Sequence, residues 1–159
     1  MRDKRFIAEH RGGPLNKEQH IQLIKWACDC AEHVLPLIGE SLDVRLKNAL
    51  LIANQWAKGK ATVGEARNAS LGAISVANEL SNPTSIAVAR SVGHAVATAH
   101  LADHSLGAAV YALKAVKSAI KSIDAERKWQ NDQLPSKIRE LVLTSRSMKE
   151  EIFKDLRTD

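Results

Sequence analysis

Apolar residues along the chain recur every three or four positions, between polar stretches punctuated by glycine, proline or a capping side chain, which is the period of amphipathic helices. Ile21, Ile24, Cys28, Ala31 and Leu35 set one such face. It is entered through Asn16, with Gln19 three residues on as a capping box, and left at Pro36 and Gly39. A second face, Leu46, Leu50, Ala53 and Ala57, opens at Ser41 or Asp43 and closes at Gly59, where glycine takes a left-handed cap at little cost. Thr62 and Glu65 form another capping box ahead of Ala66, Ala69, Ala73, Val76, Ala77 and Leu80. Asn82-Pro83 then reads as a cap followed by proline at the first helical position. No run alternates with period two over any length, so no strand is expected.

The stretch Ser85 to Ala119 differs from the rest. Its only charged residues are Arg90, Asp103, Lys114 and Lys117, and its apolar positions are mostly alanine and valine, the signature of buried helix approached closely from several sides. A single helix from Pro83 to Ser122 would be about 60 Å long, whereas a domain of this size is about 40 Å across. It must therefore break. Ala102-Asp103-His104-Ser105 is the expected point, with Asp103 or Ser105 capping a new helix that ends near Lys121. Beyond it, Ser122 and Asp124 open a short helix through Trp129. Leu134-Pro135 interrupts, and a last helix runs from Ser136 to about Leu156, with Ile138, Leu141, Val142, Met148, Ile152 and Phe153 on its apolar side.

The pattern predicts an all-α fold, a compact array of six or seven antiparallel helices with an alanine-rich central hairpin. One domain is expected over residues 1–159, made of an N-terminal arm (1–15), closed by the Gly12-Gly13-Pro14 loop, and a helical array (16–158). A chain of 159 residues with 45% hydrophobic and only 4% aromatic content suits helices packed through small side chains. The basic N-terminus is followed by no apolar run, and no stretch reaches the roughly 18 apolar residues of a membrane span, so a cytoplasmic protein with no membrane partner is expected. Cys28 and Cys30 point about 200° apart on a helix, so they can neither bridge nor chelate together. The net charge of +5 permits an acidic partner. Basic residues of the arm and the last helix interleave with acids, the pattern of a solvated face, so nucleic acid is not the expected partner.

Candidate chemistry concentrates in the central stretch, which holds three of the six histidines, His94, His100 and His104. His100 and His104, four apart, would project within about 40° of each other on a helix, the geometry that grips a metal ion. A third ligand would have to come from another helix, such as His33 or Glu32, and the expected break would disturb the spacing. The preferred reading is that the histidines pack at a crowded helix junction, bonded to Asp103, Ser105 or a carbonyl. Arg90, alone in an alanine-rich helix, calls for a partner such as Glu65, Glu79 or Asp103. Lys114, Lys117 and Lys121 make a stripe that either complements the helix dipole or lines an anion-binding groove. No nucleophile constellation or phosphate loop is present, and no catalytic residue or cofactor is expected.

Three segments taken together carry a resemblance: Trp56-x-x-Gly59 followed by Thr62 and Arg67; Ala95-Val96-Ala97-Thr98-Ala99-His100 with Asp103-His104 and Tyr111-Ala112; and Trp129-Gln130 followed by Leu134-Pro135. Over about Gln22 to Leu143 the chain resembles the immunity protein five-like family of bacterial putative immunity proteins. The resemblance implies an all-helical cytoplasmic protein that binds and neutralises a cognate protein toxin without catalysis. His100, Asp103, His104 and Tyr111 match the family pattern and, with Arg90 and His94, form the candidate functional or fold-determining cluster. Because the chain is basic, a toxin with an acidic surface or a shape-complementary cleft is expected. Trp26, Trp56 and Trp129, with Tyr111, are the candidate partner contacts, since hot spots favour tryptophan, tyrosine and arginine. Two alternatives stand beside this reading: a small metal-dependent hydrolase using His100 and His104, and a helical scaffold that forms a homodimer through alanine-rich faces.

Overall fold

Local capping chemistry sets most helix boundaries. In the computed structural model, which describes residues 3–39 and 41–150, Asn16 accepts a bond from the Gln19 N–H at 2.8 Å and Gln19 Oε1 accepts one from the Asn16 N–H at 3.1 Å. That capping box opens α1 (Lys17–Val34), which passes into a 3₁₀ turn over Leu35–Ile38. Asp43 caps α2 (Val44–Ala57), and Gly59 follows it at φ 75°. Thr62 and Glu65 cap α3 (Val63–Glu79) reciprocally, and Asn82 caps α4 (Pro83–Ala97) with proline in its first turn. The chain continues through α5 (His104–Ser118), α6 (Ile123–Asp132), capped by Ser122, and α7 (Ser136–Glu150). Seven α-helices and no strand among the described residues make the fold all-α. Ile152, Phe153 and Leu156, expected on the last helix, lie outside the described residues.

The α4–α5 hairpin sits at the centre, with α3 and α1 packed against it. Alanine on the facing sides is what allows the approach. Ala89, Ala95, Ala73 and Ala66 bring α3 and α4 together in one core with Ile24, Leu46 and Trp56. A second core lies on the opposite side of α1, where Leu23, Trp26 and Cys30 meet Leu106, Ile138 and Val142. The roughly 200° between Cys28 and Cys30 is thereby realised, since Cys28 faces the first core and Cys30 the second. Burial pushes both thiols far above their ordinary value, which keeps them protonated.

Residues 3–15 are part of this second core, because Phe6 and Leu15 are buried in it. The Leu15 N–H donates to the Ile7 carbonyl at 3.0 Å and the Glu9 N–H to the Leu15 carbonyl at 2.9 Å. Gly13 is required by this closure. A Cβ there would lie 2.0 Å from the Ile7 carbonyl oxygen, a contact no side-chain rotation can relieve.

The break in the central stretch ends where expected, with Asp103 at the N-cap position of α5, but it begins earlier than the polar residues suggest. α4 ends at Ala97, and residues 98–103 form a tight bend in which Leu101 still donates to Ala97 and His104 to Leu101, both at 3.0 Å. Asp103 keeps helical backbone angles there and its side chain makes no cap bond, while the Ser105 hydroxyl donates to Ala102 instead. The bend is anchored from outside by His20 of α1, whose Nε2 donates to the Thr98 carbonyl at 2.6 Å. α5 likewise stops at Ser118 rather than Lys121. Its end is a Schellman motif, with the Ile120 N–H bonded to the Lys117 carbonyl at 3.0 Å and the Lys121 N–H to the Val116 carbonyl at 2.8 Å.

Candidate functional site

The bend folds α5 back along α4, and this brings together side chains that helical spacing alone keeps apart. His94 from α4 meets His104 from the start of α5, with the two Nδ1 atoms 2.9 Å apart. One ring must donate and the other accept across that contact, so both cannot be cationic at once. The His94 ring also stacks on Tyr111, with centroids 5.1 Å apart and planes at 19°. Room for it is made by Gly107, where a Cβ would come within 2.6 Å of His94 Nδ1. His94, Asp103, His104, Gly107, Tyr111 and Lys114 line a cleft of about 310 Å³, together with Lys149 of α7.

Electrostatics around the cleft are dominated by cations on an aromatic face. Lys114 Nζ lies 4.8 Å from the Tyr111 ring centroid and the Arg90 guanidinium carbon 5.9 Å from it, distances at which the ring quadrupole attracts positive charge. Burial, and after it the neighbouring His104 and Arg90, lower His94 to about 4, while Asp103 pulls the other way. His94 is therefore a neutral imidazole near pH 7, able to give or accept a hydrogen bond at the floor of a basic cleft.

Of the sequence-predicted cluster, Arg90, His94, Asp103, His104 and Tyr111 gather here. His100 sits within the bend and is not among the residues that line the cleft, so it and His104 do not share one helix, and the His104 ring meets that of His94. Among the described residues no three histidine, cysteine or acidic side chains are arranged to hold a metal ion. His33, weighed as a third ligand, instead stacks on Trp129 with centroids 3.5 Å apart and bonds Glu126 at 2.6 Å.

Arg90 is exposed rather than buried against a carboxylate. Glu79, one of its expected partners, is held by Arg45 in two bonds of 2.7 and 2.9 Å, and Glu65 is occupied in the α3 capping box. The tryptophans scatter. Trp26 is 1% and Trp56 5% exposed, both in the core, whereas Trp129 is only partly covered. Trp26 donates to the Gln130 carbonyl at 2.8 Å, and Trp56 packs against His20 beneath Lys17. Sequence reasoning missed Gly107 and Lys149. Gly107 left a signal, since a glycine inside a helix three residues after His104 and four before Tyr111 shares their face.

No helix among the described residues is long and apolar enough to cross a membrane. Compared with protein families, residues 13–137 match the one described as Imm-5 like putative immunity protein. No curated protein and no solved structure matches the chain.

Proposed function

Because the chain belongs to the Imm-5 like putative immunity protein family, we propose that it protects a bacterial cell by binding and neutralising a cognate protein toxin in the cytoplasm. The protection is stoichiometric, through complex formation, with no bond made or broken by this chain. The family match carries the reading, and it spans the whole α4–α5 hairpin. The cleft supports it. Tyr111, flanked by Arg90 and Lys114, has the composition of an interface anchor, in which aromatic and arginine side chains contribute most of the affinity.

The test is protection. The toxin domain encoded beside the gene for this chain, induced in a bacterial host, should arrest growth, and co-expression of the chain should restore it. The two purified proteins should then elute together as a single complex. Growth arrest that the chain does not relieve, with no complex at micromolar concentration, overturns the proposal.

A further inference from the structure

At the C-terminus of α5 stands the one described non-glycine residue with positive φ. Ile120 has φ 58° and is 94% exposed. The left-handed position of a Schellman motif is ordinarily glycine, because a Cβ there crowds the backbone, and a β-branched side chain is the least suited of all. Exposure compounds the disadvantage. The side chain buries almost nothing in the isolated protein, so glycine would remove strain with no packing lost. Backbone strain of this kind clusters at active sites, ligand clamps and switch regions.

Ile120 does not stand alone. The outer face of α5 runs back through Ser118 and Lys114 to Tyr111 and the cleft, along a helix of about 22 Å, and Ile120 stands just past its end. α4 lies alongside, tied by the Thr84 and Ser118 hydroxyls at 2.7 Å, and adds Arg90. This strip presents Arg90, Lys114 and Lys121 against the carboxylate of Asp103, so it is net positive, as is the whole chain at +5.

Resting on the immunity reading, we infer that the α4–α5 strip is the docking surface, and that its partner is an acidic protein surface with an apolar pocket that receives Ile120. The cations steer the encounter and the isoleucine anchors the complex.

Titration calorimetry of the toxin domain encoded beside this chain's gene tests the assignment, using the full chain and three variants. Ile120→Gly should raise the Tm of the isolated chain by about 2–4 °C and yet weaken binding by about 10-fold or more. Lys114→Glu should weaken binding by about 10-fold and flatten its salt dependence. Lys47→Glu, on the exposed side of α2 away from the strip, should bind within about 2-fold of the parent. An Ile120→Gly chain that binds like the parent, or whose Tm does not rise, overturns the inference. So does a Lys47→Glu loss as large as that of Lys114→Glu. Tight binding by the parent with undiminished binding by both strip variants refutes the surface alone. A parent that binds no toxin refutes the immunity reading and the surface together.

Discussion

Gly107→Ala probes the cleft directly, because the substitution adds one methyl group where the His94 ring already sits. Its Cβ would lie 2.6 Å from Nδ1, 2.9 Å from Cγ and 3.0 Å from Cε1 of His94. The ring has no easy retreat, being stacked on Tyr111 and bonded to His104. Replacing glycine by alanine inside a helix contributes about 1 kcal/mol of stability. Overpacking costs about 1–3 kcal/mol, and losing the imidazole pair about 1 kcal/mol more. The variant should therefore be less stable by about 1–3 kcal/mol, with the Tm falling by about 2–4 °C for each kcal/mol. A second effect separates this mechanism from general loosening. His94 is depressed to about 4 chiefly by burial, so a ring expelled toward solvent should titrate near the ordinary histidine value of 6.5. Thermal denaturation with NMR titration of the imidazole Cε1–H measures both. A variant that is more stable than the parent, with His94 still titrating near 4, refutes the packing argument.

The same histidine sets a pH dependence. A group whose folded pKa is lowered stabilises the fold fully above 6.5 and loses that contribution as pH falls toward about 4; His94 contributes at most about 3 kcal/mol, less after solvent screening. His20, depressed mainly by burial, acts in the same direction. His94→Gln should flatten urea-measured stability between pH 6.5 and 4, and an unchanged slope would contradict the assignment. Gly13→Ala should destabilise by on the order of 3 kcal/mol, since its Cβ would meet the Ile7 carbonyl at 2.0 Å; a Tm within a degree of the parent's would show that the loop has another way to close. Trp26→Phe leaves the Gln130 carbonyl without its 2.8 Å indole donor, at a cost of about 1–3 kcal/mol read by chemical denaturation. Cys28 and Cys30 should react with a thiol reagent only as the chain unfolds, and rapid labelling of the native protein would contradict their burial.

The helix boundaries were legible because capping is a contact between residues two or three apart. Asn16, Asp43, Thr62, Asn82 and Ser122 each cap the helix expected of them. The need for a bend was legible too, from length alone, and so was the gathering of most of the candidate cluster into one stretch. The far end of the bend was legible as well, since α5 opens directly after Asp103. Its near end was not: His20, far off in sequence on α1, holds the Thr98 carbonyl, and no local pattern announces a bond of that span. Trp26 and Trp56 were equally ambiguous, since a tryptophan on a helix looks the same whether its neighbours will bury it or leave it bare.

What the sequence determined by itself was the all-α class, the caps, the opposed cysteines and the alanine-rich centre, all consequences of the 3.6-residue period and of short-range bonds. What only the tertiary structure decided was which side chains meet. His94 reaches His104 because the bend reverses the chain between them, and Gly107 leaves the space that the ring fills. Ile120 stays bare in a glycine's conformation because none of the described elements packs over that end of α5. Contacts between elements depend on where each helix axis comes to rest, and that follows from the packing of the whole core rather than from any one stretch of it.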